Sequence, residues 1–168
     1  MKSPIATVIS RADVAGRFPS ETDLATVQEE LERAAARLEA AEKLAVYHDA
    51  IVRDAADSVL PRYTSSRPPG ATAVASQDTV SQGYREIDRY LRAIHYCLVV
   101  GSPTPLTEAG LPRKRSGSPT LPLPLEIYVA ALEYLRDRAY AGLKLSPPAL
   151  VELRFYLEYA ISGFNGTL

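Results

Sequence analysis

Along residues 20–45, apolar and small side chains recur at spacings of three and four: Leu24, Val27, Leu31, Ala34, Leu38, Ala41 and Ala45. That period places them on one face of a helix. The opposite face carries Glu29, Arg33, Arg37 and Glu39, and the run of alanines at 34–36 and 40–41 allows close approach of another helix. Ser20 followed by Asp23 resembles a capping box, with Asp in place of the more usual Glu or Gln giving a weaker version. Before it, residues 4–14 form a short amphipathic segment ending near Gly16. Beyond it, helical character resumes from Val46 to Leu60 and is expected to stop at Pro61, because proline has no N–H to donate. The Ser-Ser-Arg-Pro-Pro-Gly run within 64–70 reads as a turn or exposed loop.

A further helix is expected over about 78–99, apolar through Tyr84, Ile87, Leu91, Ile94, Tyr96, Leu98 and Val99, with Gly101 placed to end it. Residues 102–124 hold Pro103, Pro105, Pro112, Pro119, Pro122 and Pro124, which excludes a long helix. The Arg113-Lys114-Arg115 run within them reads as a solvated loop. Leu125 to about Tyr140 is again helical. Ser146 then caps a last helix that begins Pro147-Pro148, the preferred proline positions. Its apolar side includes Val151, Phe155, Tyr159 and Ile161, and Gly163 sits where a C′ glycine would. No alternating strand pattern competes, and the fold class is all-α.

Composition narrows the function classes. A chain of 168 residues with 46% hydrophobic content fits one domain with an ordinary core. A net charge of −1 without a basic stripe argues against nucleic acid as a partner. One cysteine excludes an internal disulfide framework, and one cysteine with two histidines argues against a structural metal site. No apolar run approaches the length of a membrane span, and no signal peptide is evident at residues 1–10. There is no phosphate-binding glycine loop, paired-histidine metal motif or nucleophile elbow, so no enzyme activity is expected. His48 and His95 are separate in sequence; His95, in an apolar stretch, reads as a satisfied core histidine, and Cys97 as a small buried apolar side chain.

Several stretches carry a family resemblance. Residues 1–46, with Gly16-Arg17-Phe18-Pro19-Ser20 and above all Arg33-Ala34-Ala35-Ala36-Arg37-Leu38-Glu39-Ala40-Ala41-Glu42-Lys43-Leu44-Ala45, resemble a phycoerythrin α chain of the phycobiliprotein family. Tyr90-Leu91-Arg92 followed by Tyr96-Cys97-Leu98-Val99-Val100-Gly101 is similar to the family's central helix, and Tyr128-Val129 and Tyr159-Ala160-Ile161 to its last two helices. The match is specific over 1–101, thin over 102–124 and moderate to the end. The resemblance implies one domain: an N-terminal helical hairpin over 1–46 and a globin-like core over 47–168, with the Pro-rich loop 102–124 inside it. It further implies a β-type partner subunit, higher αβ rings with linker proteins, and a peripheral place in a phycobilisome at the cytoplasmic or stromal face of the thylakoid. Asp13 and Arg92 stand at the positions where the family pairs an acidic residue of one chain's first helix with a basic residue of the partner's central helix.

The family's pigment, an open-chain tetrapyrrole (bilin), is joined by thioether to a cysteine of the central helix. An Arg two residues on meets a propionate, and an Asp three residues on bonds the pyrrole nitrogens. Here Gly83 stands at the cysteine position, Arg85 at the propionate position, and Glu86 replaces the Asp. Tyr140 stands at the second attachment position usual in phycoerythrin α chains. Neither Gly83 nor Tyr140 can form a thioether, so no covalent bilin is expected. Tyr84 and Tyr140 are candidates to fill the space. The expectation is a structural α-type subunit that pairs with a bilin-bearing β chain. The alternative is a noncovalent phycobilin carrier or light sensor using Arg85 and Glu86; a bilin lyase has no motif behind it.

Overall fold

A computed structural model describes residues 4–65, 73–111, 124–138 and 142–166. Among them are six helices and no strand: α1 (Pro4–Val14), α2 (Glu21–Ser65), α3 (Ala73–Val100), α4 (Thr104–Glu108), α5 (Leu125–Asp137) and α6 (Pro147–Asn165). Helix α1 turns back on α2 through buried Val8 and Ala12, which makes the N-terminal hairpin. Helix α2 then packs against α3, α5 and α6, and α5 and α6 pack on each other.

The caps follow the sequence closely. The α1–α2 turn uses Gly16 at φ +61°. The capping box at Ser20 is complete despite the shorter acid: Ser20 N donates to Asp23 Oδ2 at 2.9 Å and Asp23 N donates to Ser20 Oγ at 3.2 Å. Arg17 adds a 2.7 Å bond to the same carboxylate. Gly101, at φ +71°, ends α3 with its N–H on Cys97 O. Ser146 caps α6 as expected, accepting from Ala149 N.

Helix α3 begins at Ala73, five residues before its expected start, and three further features differ from the sequence reading. First, α2 is one helix of 45 residues, continuous through residue 46 and past Pro61. Its buried positions Ala40, Leu44, Ile51, Val52, Ala55 and Leu60 keep the helical period across residue 46, so packing holds the helix where local pattern weakened. Pro61 falls in the last turn and a half, where the missing N–H removes one bond rather than breaking a helix in its middle. Second, prolines do not keep 102–108 irregular. Pro103 and Pro105 fall at the start of α4, where an N–H would have no helical acceptor, and Leu106 anchors that turn in the core. Third, Gly163 is buried inside α6, and Gly166 at φ +68° is the residue that ends it. Residues 112–123, with the basic run, and Tyr140 lie outside the described residues.

The faces of α2 are the largest surprise. Leu24, Leu31 and Leu38 are more than half exposed, whereas the side read as the wet face contributes buried Arg37. Arg37 pairs with Glu30 at 3.0 Å and lies 3.8 Å from Glu152 of α6, and Glu152 also holds Arg33 at 3.0 Å. Glu39 accepts from both N and Oγ of Ser146. The charged side of α2 is therefore its joint with α6, and Leu24, Leu31 and Leu38 face outward.

Candidate pigment position and pairing surface

Gly83 lies on the buried face of α3, in line with Ile87, Tyr90, Leu91 and Ile94 one to three turns on. A Cβ on Gly83 would stand 2.6 Å from Leu60 Cδ2, so buried Leu60 of α2 occupies the space a side chain at 83 would need. Farther along this face, Tyr90, Tyr128 of α5 and Phe164 of α6 form an aromatic cluster with centroids 5.0–5.6 Å apart. Edge-to-face and offset contacts of this kind fill volume densely. The space left between Ile87, Tyr90, Tyr128, Ala131, Leu132 and Leu135 is about 10 Å³, at most a single water's worth.

The polar residues singled out from the sequence do not converge on a cavity. Glu86 pairs with Arg89 at 2.7 Å, and Arg89 in turn donates to Tyr90 Oη and sits over the Tyr90 ring. Arg85 is exposed and has no ion pair among the described residues. Tyr84, rather than filling a pigment space at 83, donates its hydroxyl to Asp57 of α2. Cys97 is fully buried, and burial pushes its thiol up to about 11. Among the described residues no group of three His, Cys, Asp or Glu side chains is placed to hold a metal, and no helix is long and apolar enough to cross a membrane.

A second region lies on the other side of α3. Asp13 is exposed on α1. Arg92 is half exposed at the edge of an open groove of about 630 Å³ between α2 and α3. Tyr47, His48, Arg53, His95 and Tyr96 also line it. His95 is only partly buried, so it is a groove residue rather than a core one; burial, then the neighbouring His48, lowers its pKa. Arg92 is held by Asp88 one turn back at 2.7 Å, and His48 Nε2 lies 3.0 Å from the other Asp88 oxygen, off the line of a good hydrogen bond. The i,i+4 spacing of Asp88 and Arg92 is readable in the sequence. Nothing there pointed to Leu60 or His48, because their partners lie more than twenty residues away.

Comparison with known proteins agrees with these observations. The phycobilisome protein family matches over residues 7–164. The chain is 48% identical to the C-phycoerythrin class 1 subunit alpha of Synechococcus sp. (strain WH7803) over 165 residues, 98% of this chain and 100% of that protein. It is 46% identical to the R-phycoerythrin alpha chain of Pyropia tenera and 45% identical to the B-phycoerythrin alpha chain of Rhodella violacea, with the same coverage. The helical hairpin, the globin-like core of α2–α6 and this full-length similarity agree: the chain belongs to the phycobilisome protein family, as a member of the phycoerythrin α type.

Proposed function

We propose that this light-harvesting α-type chain serves as a structural subunit, pairing with a bilin-bearing β-type phycobiliprotein subunit and carrying no covalent bilin itself. The observation that carries the reading is the outward face of the hairpin. Leu24, Leu31 and Leu38, at seven-residue spacing on α2, are exposed, and so are Ile9, Val14 and Phe18 of the hairpin. Exposed apolar side chains in this number fit a partner subunit. Asp13 and Arg92 would flank them, each meeting an opposite charge of the β chain.

For the pigment, the residues present do not fit a thioether. Gly83 offers no sulfur, Leu60 occupies the adjoining space, and Cys97 is buried as a protonated thiol. Higher rings, linker proteins and a peripheral place on the thylakoid surface follow from the family as part of the same reading. The test is co-expression with a recombinant phycoerythrin β subunit, followed by size exclusion and intact masses under denaturing conditions. Co-elution with this chain at its polypeptide mass is expected. A lone monomer at micromolar concentration, or a bilin mass on this chain that survives denaturation, would overturn it.

Arg85, exposed and without an ion pair among the described residues, favours a second reading, a noncovalently held phycobilin reached through its propionate. Visible absorbance in native material, lost after acid-urea denaturation and desalting, is its test.

A further inference from the structure

The groove between α2 and α3 is lined by two arginines and two histidines. Its lining holds Arg53, Arg92, His48 and His95 and a single carboxylate, that of Asp49. Asp49 lies 3.2 Å from His48 Nδ1. Asp88, behind the groove, holds Arg92 through Oδ2 at 2.7 Å; its Oδ1 lies 3.0 Å from His48 Nε2 on the facing helix without hydrogen-bond geometry. Asp88 is about a quarter exposed, and Arg92 just over half.

An arginine on a helix surface samples many rotamers, and fixing it on association costs affinity unless the free protein already holds it. Asp88 holds one nitrogen of the guanidinium. The other donors of the fork stay open to the groove, where a carboxylate can accept two of them side by side.

We propose that Asp88 is a positioning residue for subunit pairing: it sets Arg92 in the orientation that receives a carboxylate of the β-type partner. This rests on the reading of Arg92 as a pairing residue given above. Pairing is measured as the equilibrium Kd with a recombinant phycoerythrin β subunit by sedimentation, with circular dichroism as the fold control. Asp88→Asn is expected to weaken pairing roughly three- to tenfold, the range of a partly exposed ion pair. In an Arg92→Gln background the same change is expected to have almost no effect. An equal loss from Asp88→Asn in both backgrounds makes Asp88 merely structural and overturns the proposal. So does no loss from Asp88→Asn where Arg92→Gln weakens pairing, and that pattern leaves the reading of Arg92 standing. If Arg92→Gln leaves pairing unchanged, that reading fails and the proposal falls with it.

Discussion

Leu60 of α2 stands in the space that a side chain on Gly83 of α3 would enter, with two of its carbons within 3.0 Å of where a Cβ would be. Restoring a cysteine at this position is therefore a packing problem before it is a chemical one. Gly83→Cys is expected to cost about 1–3 kcal/mol, because buried Leu60 must leave its rotamer or the helices must part. Leu60→Ala alone leaves a cavity and costs about 2–5 kcal/mol. The double variant should lose less than the sum of the two, and urea unfolding of all four proteins measures the difference. Simple additivity would show that the two positions do not compete for one space.

The outward leucines of α2 make a prediction of the opposite kind. Leu31→Lys and Leu38→Lys change residues already more than half exposed, so the isolated chain should keep its stability within about 0.5 kcal/mol. Pairing with a β-type subunit should be strongly weakened. Loss of stability without loss of pairing would place these leucines in the core and not at the interface.

The capping box at the start of α2 has a pH consequence. Ser20's backbone N–H, then Arg17 and the Ser20 hydroxyl, hold the Asp23 carboxyl at about 2, below its ordinary value of 3.8. A group with a depressed folded-state pKa contributes stability that is present above the unfolded value and lost as pH falls through the folded one. The urea midpoints of the native chain and Asp23→Asn should therefore converge between about pH 4 and pH 2. A gap that stays constant over that range would mean that the carboxylate's charge is not what stabilises the cap.

Gly101 is constrained twice. It adopts φ +71°, and a Cβ there would lie 3.0 Å from the buried guanidinium of Arg37. Gly16 adopts φ +61° with nothing within 4 Å of such a Cβ. Gly16→Ala should cost about 1 kcal/mol for the left-handed backbone alone. Gly101→Ala should cost more, and the excess reports the Arg37 contact. Thermal unfolding of the two variants makes the comparison, and equal losses would show that Arg37 yields freely.

Cys97 should be chemically silent. With no exposed surface and its thiol pushed up to about 11, it carries almost no thiolate at pH 8. Maleimide labelling is expected only after unfolding, and labelling of the native chain at the rate of a free thiol would contradict the burial.

Much of this architecture was legible in the sequence. Ser20, Gly101 and Ser146 with its two prolines act within four residues of themselves, and local chemistry of that kind can be read directly. The family resemblance singled out Gly83, Arg85, Glu86, Asp13 and Arg92 as expectations. What could not be read depends on which face of a helix meets which neighbour. Leucines and arginines alternate around α2 with one period, and periodicity alone does not say which side is covered. The answer comes from Glu152 and Ser146, more than a hundred residues away, which hold Arg33, Arg37 and Glu39 against α6 and leave Leu24, Leu31 and Leu38 outside. The filling of the space at Gly83 has the same character, since it depends on a residue of another helix. Pro61 misled for a different reason: a proline's cost depends on how many turns follow it, and here only one does.

The continuity of α2 ties its two ends together mechanically. At 1.5 Å per residue its 45 residues make a rod of roughly 68 Å. Its first half carries the outward leucines, and Leu60 sits near its far end. With no break between them, the rod acts as a lever. A tilt of one degree at the hairpin would swing the far end by about 1 Å, comparable to the clearance missing at Gly83. A partner docked on these leucines would thereby acquire a handle on the packing around Gly83.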